Sequence, residues 1–315
     1  MFSSLLTGKT ISSGRCQTEL YFPGKEICKY QLEGRLRIIT IDSIFTISAG
    51  LFGLCIGSFL NVVIWRIPLG KSIISPPSAC PGCGKEIEPR DNIPVLSYLI
   101  LRGKCRNCSM AISAKYPITE LITGILFALA ALQTGYSPAF INYAVLISLM
   151  MVVVRTDLEQ FIILDEVSIG GTVAGILLAL LPGGPGILTS LITAVTGAAF
   201  FLLIRTGASI YLKKRDIRTK APEGFEDEED EFQGGMGWGD IKLAACIGAF
   251  LGPASTVIAF FAAFILGALS GGAMMAFGGK KRNTPIPFGP FMAAGAVLSL
   301  FFGEPLWSAY MNLLG

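Results

Sequence analysis

The chain has 315 residues, of which 52% are hydrophobic and only 15% charged, with a net charge of +3 at pH 7 and a mean hydropathy of +0.63. A soluble domain carries nearer a quarter of its residues charged, so these values exclude an ordinary water-soluble globule and point to a chain that meets lipid. Histidine is absent, which also excludes Ser-His and Cys-His catalytic machinery.

In chain order, residues 1–43 come first. They form an atypical N-terminal extension with six basic residues (Lys9, Arg15, Lys25, Lys29, Arg35 and Arg37) and no apolar run of the signal-peptide kind. We expect the working chain to begin near the first span. Cys16 and Cys28 lie in this extension and could pair in an oxidising compartment. A bilayer core of about 30 Å needs roughly 17–25 apolar residues per helix. Such runs occupy 44–65, 117–134, 139–155, 166–182, 187–212, 254–277 and 286–303, and a shorter one, 241–252, is counted because the topology needs it. The expected fold is therefore an all-α polytopic membrane protein of about eight transmembrane helices. Four regions follow: the extension (1–43), the first span (44–65), a cytoplasmic loop domain (66–116) and a membrane domain (117–315) that includes a loop at 213–239.

Charge orients the spans. Segment 66–115 holds eight Lys/Arg, 213–220 holds five and 280–282 holds three, while the turns near 135–138, 183–186 and 252–253 and the tail 304–315 hold none. Basic loops face the cytoplasm, so the N- and C-termini are expected on the other side, and residues 1–43 break the rule.

Within the first loop the cysteines fall as Cys80-x-x-Cys83 and Cys105-x-x-Cys108, with 21 residues between the pairs. Two such pairs can present four thiolates tetrahedrally, as closed structural zinc sites require. In a reducing compartment metal explains the four thiols better than disulfides do, with redox cysteines as the alternative. About fifty residues with few large apolar side chains need such a staple to fold. Cys55 and Cys246 lie in apolar runs and read as small packing residues.

Acidic residues in or beside the spans are few: Asp42, Glu120, Asp157, Glu159, Asp165, Glu166 and Asp240. Intramembrane ionisable groups are costly and are functional candidates. Asp157 stands where the third span leaves on the cytoplasmic side, and Asp240 opens the sixth span from that side. Two carboxylates at one depth could share a proton and activate water between them. Gly237 and Gly239 flank Trp238 and would let backbone approach a substrate closely. The plainer alternatives are that Asp157 and Asp165 cap helices and that Asp240 pairs with Lys242.

The combination resembles the type IV prepilin peptidase family, from about residue 50 to 303. The segments that carry the resemblance are "GSFLNVVIWRIP" (57–68), the cysteine loop from "CPGCG" to "ISAKYPITELIT", "TDLEQFIILDEVS", "GMGWGDIKL" with its GxGD signature, and "PIPFGPFMAAG" (285–295). The family implies catalytic aspartates at Asp157 and Asp240, with Gly237, Gly239 and Lys242 in the active-site loop. It implies prepilin and pseudopilin substrates with a short basic leader, cut at the cytoplasmic face of a bacterial inner membrane. It also implies methylation of the new amino terminus by S-adenosylmethionine, for which Gly103, Lys104 and Glu120 are candidates beside readings as turn, surface charge and helix packing. Structural zinc would sit on Cys80, Cys83, Cys105 and Cys108. Expected partners are the precursors, membrane lipid and pilus or secretion assembly machinery, with no nucleic acid. Two features depart from the family pattern: Leu164 stands where proline is usual, and the extension 1–43 has no family counterpart; an acidic run, "EGFEDEEDEF" (223–232), precedes the GxGD loop as a solvated linker or an attractor of basic leaders. Rival classes are a transporter, against which no inverted repeat is found, and a non-catalytic scaffold that docks an assembly ATPase.

Overall fold

A computed structural model describes residues 18–19, 27–214, 236–277 and 286–314, with side chains from residue 41 onward. A two-residue pair of strands, β1 (Thr18–Glu19) and β2 (Ile27–Cys28), leads into α1 (Lys29–Arg66), which runs straight through the expected boundary at 43. The cysteine loop carries one short helix, α2 (Leu96–Ile100), and the remaining helices are α3 (Lys115–Thr134), α4 (Ala139–Gln160), α5 (Asp165–Leu178), α6 (Ile187–Lys214), α7 (Trp238–Leu251), α8 (Pro253–Phe277) and α9 (Gly289–Leu314). The Cys16–Cys28 pairing, the acidic run 223–232 and the basic residues 215–220 and 280–282 fall outside the described residues or their described side chains.

Eight of these helices coincide with the eight apolar runs. Six are long and apolar enough to cross a membrane: α1, α3, α4, α6, α8 and α9. The other two, α5 and α7, have 14 residues each, about 21 Å at 1.5 Å per residue, which falls short of a bilayer core. Helix α7 is short because Gly252, at φ +74°, turns the chain and Pro253 then starts α8. Beyond Trp238 at its start, its apolar residues are buried on all sides, including Leu243, Ala244, Cys246, Ile247 and Ala249, as befits a helix enclosed by protein instead of lipid.

The helices pack in sets. Helix α1 lies along α3 and α8 along α9, while α5 and α6 enclose α7; α4 touches α1, α3, α5 and α9. The α6–α7 approach is backbone-close at Gly248, where any added Cβ would strike the Thr193 carbonyl, and Thr193 donates a hydrogen bond to the Gly248 carbonyl at 2.8 Å. Small residues at such crossings replace the hydrophobic drive that lipid removes. Outward faces are apolar (Ile125, Val195, Leu203, Phe261, Leu269), which suits acyl chains. The resulting bundle brings the C-terminal end of α4 and the N-terminal ends of α7 and α9 to the same end as the cysteine loop, since Arg155 of α4 donates to the Lys115 carbonyl at the start of α3 (2.9 Å).

Candidate active site

Asp157 sits in the last turn of α4 and is only 5% exposed. A buried carboxylate needs hydrogen-bond partners, and Asp157 finds one on another helix: the Gly289 amide, at the start of α9, donates to its Oδ2 at 2.8 Å. That approach demands glycine, because a Cβ at residue 289 would lie 2.6 Å from the same oxygen. Gly289→Ala should therefore push the carboxylate aside at an overpacking cost of about 1–3 kcal/mol. The expected readout is a lowered melting temperature in detergent, and unchanged melting would contradict this geometry.

Asp240, 7% exposed, lies in the first turn of α7. The Gly237 amide donates to its Oδ2 at 3.2 Å, so the side chain closes back on the residue that precedes the helix. A helix N-terminus is the end at which a carboxylate is favoured. The Asp157 and Asp240 charges lie close enough to act on each other. Residues 83 apart in sequence thus stand at the same end of the bundle.

Two residues missed by the sequence reading complete the surroundings. One is Gly289. The other is Arg205 of α6, almost fully buried, whose charge also acts on Asp240. Its guanidinium lies 4.6 Å from the centroid of the Trp238 ring and donates to the Met236 carbonyl, so it holds both ends of the tripeptide that precedes Gly239. Such a combined stacking and hydrogen-bonding role suits arginine better than lysine. The available signal was Arg205 itself, the one charged residue in the apolar run 187–212.

The loop residues divide differently from expectation. Lys242 does not pair with Asp240; its Nζ lies 2.6 and 2.8 Å from the two oxygens of Asp165, which ties α7 to α5. Gly239 serves the chain's own packing, since a Cβ there would come 2.8 Å from the Ile163 Cβ. Leu164 has φ −65° and ψ 132°, the φ that proline would impose, so its departure from the family pattern leaves the backbone shape intact.

The cysteine loop forms a separate site. The Sγ atoms of Cys80, Cys83, Cys105 and Cys108 all lie within 4.8 Å of one another, with Cys80 and Cys108 at 3.7 Å. Metal–sulfur bonds of about 2.3 Å in a tetrahedron put sulfurs about 3.8 Å apart, so the cluster fits a four-sulfur metal site. Two similar knuckles build it. The Cys80 amide donates to the Lys85 carbonyl (2.9 Å) and the Gly84 amide to Cys80 (2.8 Å), while the Cys105 amide donates to Met110 (2.8 Å) and the Ser109 amide to Cys105 (3.0 Å). The amides of Cys108 and Asn107 bring the Cys105 thiol down to about 6. The Cys108 thiol is pulled down by the Met110 amide, but desolvation and the neighbouring thiols outweigh this and leave it at about 11. Four crowded sulfurs thus resist becoming thiolates together unless a cation compensates them.

The three methyl-transfer candidates are each engaged within this loop or at its base. Gly103 turns the chain at φ +68° with the Tyr98 ring over it, and Lys104 forms an antiparallel bridge to Ala111. Glu120 of α3 accepts the Val95 amide at 2.7 Å. These are structural engagements.

Comparison with known proteins identifies the family. The family model described as Bacterial Peptidase A24 N-terminal domain matches residues 51–134, and that of the Type IV leader peptidase family matches residues 144–272. The chain is similar to a prepilin leader peptidase/N-methyltransferase of Bacillus subtilis (strain 168), at 36% identity over 84% of this chain and 96% of that protein. Proteins with the same description from Aeromonas hydrophila and Pseudomonas aeruginosa are 32% and 30% identical, over 83% and 86% of this chain and 92% and 95% of theirs. No solved structure matches.

Proposed function

The chain belongs to the type IV leader peptidase family, and from that premise we propose that it is a membrane-embedded aspartyl endopeptidase. It removes the basic leader of type IV prepilins and pseudopilins and N-methylates the amino terminus so exposed. The observation that carries this reading is that Asp157 and Asp240, buried carboxylates from two helices, stand at the same end of the bundle, each with one oxygen committed to a backbone amide. Among the described residues the other oxygens have no recorded hydrogen bond, and they would serve water and substrate.

One aspartate takes a proton from water, whose oxygen attacks the scissile carbonyl carbon; the other, protonated, donates a hydrogen bond to the carbonyl oxygen. Collapse of the tetrahedral intermediate breaks the C–N bond, and the departing amine takes a proton from the pair. The two acids titrate as a unit, so the roles belong to the pair. The basic loops orient the site toward the cytoplasm of a bacterial inner membrane. A substrate with its helix in lipid and its leader in the cytosol would present its scissile bond at that depth.

Cys80, Cys83, Cys105 and Cys108 would hold a structural zinc ion, which supplies charge compensation and a fold for the loop. S-adenosylmethionine supplies the methyl group when bound. Gly103, Lys104 and Glu120 remain candidates by family resemblance only, and no step is routed through them.

The direct test is to incubate the purified protein with a prepilin, with and without S-adenosylmethionine, and to read the product masses. Loss of the leader, plus one methyl only when the donor is present, is expected; an unprocessed precursor would end the reading. Arg205→Met should lower kcat by roughly a hundredfold through misplacement of Asp240, with KM little changed. Arg205→Lys should recover part of the loss, and equal loss in both variants would remove the positioning role.

A further inference from the structure

Helix α2 is inside out for a segment in water. Its one buried residue is polar: Ser97, 6% exposed, accepts the Ile93 amide at 2.9 Å and donates to the Arg90 carbonyl at 3.1 Å. Its apolar residues Leu96, Leu99 and Ile100 point outward, Leu99 and Ile100 each 65% exposed. In water that arrangement discards the hydrophobic stabilisation of three large side chains.

Its depth resolves the contradiction. Helix α3 has 20 residues, about 30 Å at 1.5 Å per residue, which is the thickness of the hydrocarbon core. All of α3 is needed to cross, so its first turn already stands at the edge of the acyl region. Glu120 lies five residues inside, about 7.5 Å deeper, and its Oε2 accepts the amide of Val95, the residue just before α2. Even with the Glu120 side chain leaning back toward the helix start, α2 begins level with the first turn of α3. Its exposed face is then continuous with the lipid-facing Ile118, Leu121 and Ile122 of α3. Directly after α2 come Arg102 and Lys104, both exposed basic residues.

We infer that α2 is a membrane-seated foot of the cysteine loop: Leu96, Leu99 and Ile100 enter the acyl region of the leaflet at the aspartate end, and Arg102 and Lys104 meet lipid headgroup phosphates. Apolar side chains in the interface with flanking Lys/Arg are the usual composition of an in-plane membrane anchor. The foot fixes the height of the metal site above the aspartates, and it stands independently of any catalytic role.

The test uses single tryptophan additions in the full chain, reconstituted in phosphatidylethanolamine/phosphatidylglycerol nanodiscs, with the fluorescence of the unmodified protein subtracted. Leu99→Trp and, as a second variant in case the first misfolds, Ile100→Trp are compared with Leu121→Trp on α3 and Ile74→Trp in the exposed loop. With acyl-chain-brominated lipid, the α2 tryptophans should lose as large a fraction of their emission as Leu121→Trp, while Ile74→Trp stays bright and is quenched by acrylamide. Acrylamide quenching of both α2 variants would overturn the proposal in favour of water. Protection from both quenchers would overturn it in favour of a protein partner, including a second copy.

Discussion

Asparagine at either Asp157 or Asp240 should abolish leader cleavage, by at least about a thousandfold, while the protein stays inserted and keeps its helix content. The substitution suits the site because it keeps shape: the amide oxygen of asparagine can still accept the Gly289 amide at 157, or the Gly237 amide at 240. What disappears is the group able to hold or release a proton. A pair that works as a unit is not additive, so the double variant should be no slower than either single one. Normal leader removal by either single variant, measured as product per enzyme over time, would refute the assignment. A further drop in the double variant would show that the two acids act separately.

Removal of the metal ligands should act on a different part of the molecule. Serine at Cys80, Cys83, Cys105 and Cys108 together should bring bound zinc from one equivalent to none and leave residues 66–115 open to protease. Here binding free energy serves as folding free energy, and the loop offers little else: its large apolar residues Ile74, Leu96, Leu99 and Ile100 face outward. The membrane helices that carry the aspartates have their own core, with Leu146, Ile147 and Met150 of α4 and Met292 of α9 fully enclosed. Methylation should therefore suffer more than cleavage. A quadruple variant that retains zinc would sink the metal assignment, and equal loss of both activities would show that the loop also holds the peptidase core.

Much of this was legible in the sequence, for physical reasons. Apolar run length and loop charge are local properties, so the eight helices described outside the cysteine loop could be read, and paired Cys-x-x-Cys motifs announce four sulfurs without reference to the fold. Asp157 and Asp240 stood out because charge in lipid is rare. The partners of these groups were not legible. Gly289 reaches Asp157 across 132 residues, and nothing in a glycine's identity says that its amide points at a carboxylate. Lys242 stands two residues from Asp240 yet turns to Asp165, because successive positions on a helix point in different directions. Arg205 was visible as a charge in an apolar run, but its hold on Met236 and Trp238 depends on which face of α6 meets α7.

The aspartates are carried by different packing sets: Asp240 by α7, enclosed by α5 and α6, and Asp157 by α4, which leans on α9. The two sets meet where α4 packs on α5, within one shared core. A slide of one past the other by a few ångströms would part the acids and leave every helix formed. Solubilised preparations can therefore fall silent with an unaltered circular dichroism spectrum, and the choice of amphiphile, through the lateral squeeze it exerts, becomes a variable of catalysis as much as of folding.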